Sequence, residues 1–147
     1  MSTFRYSVEV FAPPEKVWEV LVDVERWPEW TPTVTRAERL EPGPLALGSR
    51  TKIWQPKLMT TAWRVTALDP NAGVFVWETR RPGIKVIATH RVEPVRGGGV
   101  RLTLVLEYKG ILGPFMAIQL KNLNWEYLTK EAQGLKAHCE QSPNFPT

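Results

Sequence analysis

Apolar and polar residues alternate along the first ten positions of the chain, and a period of two is typical of a half-buried strand. The apolar face of this strand is formed by Phe4, Tyr6, Val8 and Val10. Residues 12–15, Ala-Pro-Pro-Glu, then break the strand and favour a helix start, because proline is tolerated in a first helical turn. A second short helix is predicted to end at Pro28. The opening therefore predicts one strand followed by two short helices.

Prolines and glycines divide the next part of the chain into six further strand candidates. They are Thr33–Leu40, Ser49–Gln55, Thr61–Leu68, Val74–Thr79, Ile84–Glu93 and Val100–Tyr108. The segments between them are mostly of hairpin length, as at Pro82-Gly83 and at the three glycines that begin at Gly97. Short connections join antiparallel neighbours. The pattern predicts an antiparallel meander.

The last apolar pattern has a helical period. Its members are Met116, Leu120, Leu123, Tyr127, Leu128 and Leu135. They predict one long amphipathic helix from about Pro114 to Cys139. The chain is thus predicted to be an α+β protein with one domain over residues 1–141. Residues 142–147, which contain two prolines, are expected to form a mobile tail.

Composition and charge narrow the classes of partner. The 147 residues carry a formal net charge of +4, and the basic residues are interspersed, so no nucleic-acid partner is expected. Cys139 is the only cysteine and cannot form an internal disulfide. No segment has the pattern of a signal peptide or a membrane span. We expect a cytoplasmic monomer or homodimer without stable membrane insertion.

Local motifs resemble the START-like, helix-grip proteins. Residues 12–23, APPEKVWEVLVD, and Trp27-Pro28-Glu29-Trp30 resemble the opening of the polyketide cyclase/dehydrase and lipid-transport (SRPBCC) superfamily. Further motifs are similar to one bacterial branch of it: Trp63-Arg64-Val65, Asp69-Pro70, Pro82-Gly83, His90 and Gly110. The resemblance implies a curved sheet of about six to seven strands around the C-terminal helix. It also implies a cavity between them for a flat apolar ligand.

Strand parity and helical phase select the side chains that would face this cavity. His90 shares the apolar face of its strand with Ala88, and Asn124 and Glu131 fall within the apolar arc of the helix. Polar groups at such positions must be paired or must face water or a ligand. The predicted ligand-binding residues are Trp63, Phe75, Trp77, Ala88, His90, Leu104, Tyr108, Leu120, Asn124, Tyr127 and Glu131.

Motifs for metal or nucleotide chemistry are missing from the sequence. Two histidines and one cysteine provide no metal-ligand cluster. The Gly97-Gly98-Gly99 segment lies in a predicted hairpin and not before a helix, as a phosphate-binding loop would. We therefore expect no metal site and no cofactor.

Three functions compete at this point. The first is binding of a hydrophobic, aromatic, polyketide-like or lipid-like small molecule. The second is a cofactor-independent cyclase, aromatase or dehydratase, in which His90 moves a proton and Tyr108 or Asn124 hydrogen-bonds a carbonyl. The third is a protein-interaction module, which predicts an exposed apolar patch near Trp27 and Trp30. Several ionisable groups converging on the cavity would favour the enzyme.

Overall fold

A computed structural model describes residues 2–141, and its main feature is a curved, seven-stranded antiparallel sheet. The strands are β1 (Thr3–Val10), β2 (Arg36–Arg39), β3 (Arg50–Trp54), β4 (Thr61–Asp69), β5 (Val74–Arg81), β6 (Ile84–Pro94) and β7 (Val100–Lys109). Their order in the sheet is β1-β7-β6-β5-β4-β3-β2, so all neighbours except the β1–β7 pair are joined by direct connections. The predicted antiparallel meander is confirmed. The predicted tail, residues 142–147, lies outside the described residues.

Two short helices follow β1, as predicted. They are α1 (Pro14–Val22) and a 3-10 helix (Val24–Glu29). Pro14 occupies the first turn of α1, where a missing N–H costs nothing. Trp27 is buried in the 3-10 helix, and its indole N–H donates a hydrogen bond to the carbonyl of Leu21, 2.9 Å away. This bond fixes the 3-10 helix against the end of α1.

The long C-terminal helix differs from the prediction in having a break. It consists of α2 (Gly113–Gln119) and α3 (Lys121–Glu140), which meet at Leu120. Hydrogen bonds from Leu120 N to Met116 O and from Asn124 N to Leu120 O span the break, so helical hydrogen bonding continues on both sides of Leu120. Here α2 packs on β7 and β6, whereas α3 packs on β1 and β7.

The second strand is shorter than predicted. Strand β2 begins at Arg36 and not at Thr33. The Thr31 hydroxyl accepts a hydrogen bond from the Thr33 backbone N–H at 3.2 Å, and the two hydroxyls are 2.9 Å apart. A threonine that bonds the backbone two residues ahead favours a turn over an extended ladder. Thr33 is therefore buried in a turn, where its side chain reaches α3.

The sheet bends away from α3 and leaves space on its concave face. A register shift between Val65 and Ala67 on β4 marks an irregularity of the kind that bends a strand. Helix α3 packs closely on β1 and β7, at one edge of the sheet. At Gly134 a Cβ would lie 2.0 Å from the carbonyl oxygen of Trp30, so only glycine permits this approach of α3 to the segment after the 3-10 helix. These two contacts hold the helix across the open side of the curved sheet.

Candidate functional site

A cavity of about 340 Å³ lies between the concave face of the sheet and the two C-terminal helices. Ten of the eleven side chains selected from the sequence line it: Trp63, Trp77, Ala88, His90, Leu104, Tyr108, Leu120, Asn124, Tyr127 and Glu131. Phe75 does not, because it is fully buried behind His90 and Trp77, with ring centroids 4.7 Å and 4.9 Å from theirs. Phe75 supports two of the lining side chains from behind.

The mouth of the cavity is formed by exposed residues of two hairpin loops and by α2. Lys57 and Met59 come from the β3–β4 loop, Arg81 from the end of β5, and Met116 from α2. Arg81 donates a hydrogen bond to the Thr60 carbonyl at 2.9 Å, and the Tyr127 hydroxyl donates one to the Pro56 carbonyl. The β3–β4 loop is thus attached to β5 and to α3 on either side of the opening.

His90 lies in an aromatic environment at the closed end of the cavity. Its ring stacks on Phe75 and meets Trp27 and Trp77 edge-on, with centroids 5.7 Å and 6.0 Å away. Nδ1 is 2.9 Å from the Phe75 carbonyl, so Nδ1 carries the proton and Nε2 carries a lone pair. Burial lowers the pKa of His90 to about 4, although the bond to Phe75 opposes this shift. At neutral pH the ring is therefore uncharged and offers one acceptor.

Tyr108 and Asn124 form a buried polar pair across the cavity from β7 to α3. The Tyr108 hydroxyl donates to Asn124 Oδ1 at 3.0 Å, and burial raises the pKa of Tyr108. Within residues 2–141 nothing accepts a hydrogen bond from Asn124 Nδ2, which is buried. An unsatisfied buried donor costs roughly 1–3 kcal/mol. Asn124 therefore brings to the cavity wall a donor that the protein leaves without a partner.

Glu131 contributes a carboxyl group whose charge changes near neutral pH. Its Oε2 accepts a hydrogen bond from the Thr33 hydroxyl at 3.0 Å. Burial raises the pKa of Glu131 to about 7, and the bond from Thr33 only partly offsets this effect. The ion pairs of the described residues do not include Glu131. Near pH 7 it is therefore present both as a neutral acid that can donate a proton and as a carboxylate that can accept one.

Sequence reasoning missed Trp27 as a lining residue. Trp27 and Trp30 are both buried, so the exposed apolar patch that the interaction hypothesis predicted there is absent from the described structure. Strand parity carries no information on Trp27, because it lies in a 3-10 helix between elements. The mouth residues Lys57, Met59 and Arg81 were missed for the same reason, since they lie in a loop or at a strand end.

Two further properties bear on partners. Within residues 2–141 no helix combines the length with the apolar character that crossing a bilayer demands. The same part of the chain contains no group of three or more His, Cys, Asp or Glu side chains arranged to hold a metal ion.

Comparisons with known proteins agree with this fold. The sequence profile of a family described as polyketide cyclase/dehydrase and lipid transport matches residues 1–140. An uncharacterised protein of Mycobacterium tuberculosis is 35% identical over 46 residues; this segment is 31% of the present chain and only 28% of that protein.

Two solved structures have the same fold at low sequence identity. The aromatase/cyclase ZhuI of Streptomyces sp. R1128 has a TM-score of 0.77 at 18% identity, over 95% of this chain and 93% of that one. The di-domain aromatase/cyclase BexL of the BE-7585A biosynthetic pathway has a TM-score of 0.77 at 22% identity, over 98% of this chain and 48% of that one. At these identities the likeness extends to the fold alone.

Proposed function

The chain belongs to the polyketide cyclase/dehydrase and lipid transport family, and we propose that it binds a hydrophobic small molecule between the sheet and α3. The observation that carries the proposal is the cavity of about 340 Å³, whose walls are mainly apolar. Ligand pockets have volumes of about 300–1,000 Å³ and combine apolar walls with a few placed polar groups. The space suits one compact ligand, such as a small polycyclic aromatic.

The polar groups of the wall suggest what this ligand carries. Asn124 Nδ2 is a donor without a protein partner, and His90 Nε2 is an acceptor at neutral pH. Buried groups of this kind favour a ligand that completes their hydrogen bonds. The tilted indole rings of Trp27, Trp63 and Trp77 supply apolar surface for a flat molecule. We infer a planar aromatic or polyketide-like ligand with both a carbonyl and a hydroxyl group.

Filling the cavity from β6 tests the proposal. Ala88 borders the cavity, and Ala88→Trp should weaken binding of the fluorophore 1-anilinonaphthalene-8-sulfonate by at least about tenfold, because the indole takes the ligand's space. Binding is measured by quenching of tryptophan emission, with the probe's own fluorescence as a check. The matched control is Ile87→Trp, on the neighbouring position that does not border the cavity. Equal affinity in both variants and the wild type would show that the probe binds elsewhere.

A second candidate function, catalysis of cyclisation or dehydration, is favoured by the pKa of Glu131. A proton-transfer group works best when its pKa is near the working pH, and that of Glu131 is about 7 whereas that of His90 is about 4. We therefore assign proton transfer in such an enzyme to Glu131 and not to His90. The carboxylate would take a proton from the carbon beside a ligand carbonyl. The C–H electron pair would form the new C=C bond while the π pair of the carbonyl moves to its oxygen, and Asn124 Nδ2 would hydrogen-bond the resulting enolate oxygen.

The catalytic candidate predicts accelerated proton exchange. With 1-tetralone as a bicyclic ketone probe, the wild type should speed deuterium uptake beside the carbonyl in D₂O, as followed by proton NMR. Glu131→Gln should slow this exchange by at least about 100-fold, the lower end of the range that a positioned base contributes. Glu126→Gln removes an exposed carboxylate from the same helix and should keep the rate. A wild type that binds the ketone without accelerating exchange would leave binding alone as the function.

A further inference from the structure

A cluster of exposed apolar side chains lies beside the mouth of the cavity. Ile111, Phe115 and Ile118 are 88%, 59% and 70% exposed, and Leu112 is 47% exposed. They belong to α2 and the turn that precedes it, while Met116 on the same helix lines the cavity. We call these four exposed residues the α2 patch. Water contact with so many large apolar side chains on neighbouring positions is unfavourable, and such patches mark interaction sites.

The α2 patch is physically continuous with the other mouth segments. The Leu112 backbone N–H donates to the Gly83 carbonyl at 2.9 Å, which joins the patch to the β5–β6 turn. Arg81 in turn holds Thr60 of the β3–β4 loop. Lys85 of β6 lies directly opposite Lys109 of β7, at the strand ends beside this turn. Three segments, residues 55–60, 79–85 and 108–121, therefore meet at one end of the molecule.

This end carries a net positive charge. The three segments contain six of the nineteen Lys and Arg residues and none of the fifteen acidic residues: Lys57, Arg80, Arg81, Lys85, Lys109 and Lys121. Together with Glu78 and Glu107, which flank the segments, this end has six basic and two acidic residues, and the rest of the chain has thirteen of each. Glu78 pairs with Arg80 and Lys85, and Glu107 pairs with Lys109. Among the described residues, no carboxylate lies within ion-pair distance of the other three cations.

We propose that this end of the molecule docks on the surface of an anionic lipid bilayer, with Phe115 and Ile118 inserted at the level of the head groups. Apolar side chains surrounded by basic residues bind such a surface through apolar burial and attraction to anionic lipid. The charge of this end is complementary to that surface, and the cavity mouth then faces the membrane. The inference rests on the proposed function, because it supplies the route by which a hydrophobic ligand enters and leaves.

Co-sedimentation with vesicles tests the docking. The wild type should sediment with vesicles of phosphatidylcholine and phosphatidylglycerol, and not with phosphatidylcholine alone. The double variant Phe115→Asp/Ile118→Asp should bind at least about tenfold more weakly, since it loses apolar burial and gains like charge to the lipid. Leu47→Asp is the matched control and should bind as the wild type does, because Leu47 is 71% exposed on the β2–β3 loop, at the other end of β3 from the mouth.

Two further variants test how much the basic residues contribute to vesicle binding. Lys57→Gln and Lys121→Gln should each weaken vesicle binding roughly fivefold, which corresponds to the contribution of one basic residue near an anionic surface. Arg5→Gln on β1 removes an exposed charge outside the three segments and should have little effect. Raising the salt concentration should release the wild type as the charges are screened.

The outcomes separate this inference from the proposed function. Sedimentation with neither kind of vesicle would overturn the docking proposal, as would equal sedimentation of the double aspartate variant. The docking proposal would also be wrong if the protein were retained on a column of immobilised acidic protein but did not bind vesicles. Uptake of 1-anilinonaphthalene-8-sulfonate is measured without vesicles. If the wild type takes up this probe but does not bind vesicles, the proposed function stands and the docking proposal is wrong. If it binds vesicles but does not take up the probe, the docking proposal stands and the proposal of a ligand in the cavity is wrong.

Discussion

Replacing Glu131 with glutamine should raise the free energy of unfolding by about 2 kcal/mol at about pH 8 and leave it nearly unchanged at about pH 4. The reason is that burial raises the pKa of this carboxyl to about 7 in the folded protein, against 4.5 for an ordinary glutamate. The full shift corresponds to roughly 3 kcal/mol. The lower figure allows for the half-buried position of Glu131 on a cavity wall.

The direction follows from proton binding in the two states. Below about pH 4.5 both the folded and the unfolded chain hold the Glu131 proton, so the group has no effect on stability. Between pH 4.5 and 7 the unfolded chain releases the proton while the folded chain keeps it, and the stability falls as the pH rises. Above about pH 7 both are ionised and the whole penalty remains. Glutamine has no such titration, and its side-chain oxygen can still accept the hydrogen bond from Thr33.

Urea unfolding at a series of pH values measures this difference. Glu126→Gln is the control on the same helix: Glu126 is exposed and bonded to Lys130, which lowers its pKa, so its removal should not stabilise the protein at high pH. A Glu131→Gln variant whose stability runs parallel to that of the wild type would show that the carboxyl is solvated in the folded state. It would also remove the basis for assigning proton transfer to Glu131.

Replacing His90 with phenylalanine should have effects of opposite sign at the two ends of the pH range. Near pH 8 the variant should lose about 1 kcal/mol, because the hydrogen bond between Nδ1 and the Phe75 carbonyl is gone. Near pH 4 it should be more stable than the wild type by about 2 kcal/mol. The folded pKa of His90 is about 4 and the ordinary value is 6.5, so the unfolded wild type gains a proton as the pH falls from 6.5 to 4 while the folded protein does not.

The same variant tests whether His90 contacts the ligand. If it does, His90→Phe should weaken probe binding at neutral pH, because the acceptor at Nε2 is lost while the ring stack on Phe75 is kept. His138→Gln removes the other histidine, which is exposed near the end of α3, and should leave probe binding unchanged. A His90→Phe protein that is less stable at every pH and binds the probe normally would make His90 a core residue.

The two titrations oppose each other in the wild type. Between about pH 4.5 and 6.5, falling pH removes the penalty of Glu131 and adds that of His90. The wild-type stability should therefore vary little over this range, and only the single variants separate the contributions.

The sequence by itself determined the elements and the face that each presents. The period of two in β1 and β7 and the helical period after Pro114 are local properties, because successive side chains alternate in a strand and recur about every 3.6 residues in a helix. The same periods select His90, Asn124 and Glu131 as inward-facing candidates. Their role in binding a ligand stays a prediction, since position alone does not identify a ligand.

Only the tertiary structure decided how these faces meet. The break at Leu120 depends on α2 and α3 packing against different parts of the sheet, and the turn at Thr33 is completed by its bond to Glu131, 98 residues away in sequence. The burial of Trp27 and the exposure of Phe115 have the same origin, because neither the 3-10 helix nor the two turns of α2 are long enough for a pattern to show which side is covered. The pKa shifts of His90 and Glu131 both arise because segments distant in sequence bury these groups away from water, and a local sequence pattern does not show this burial.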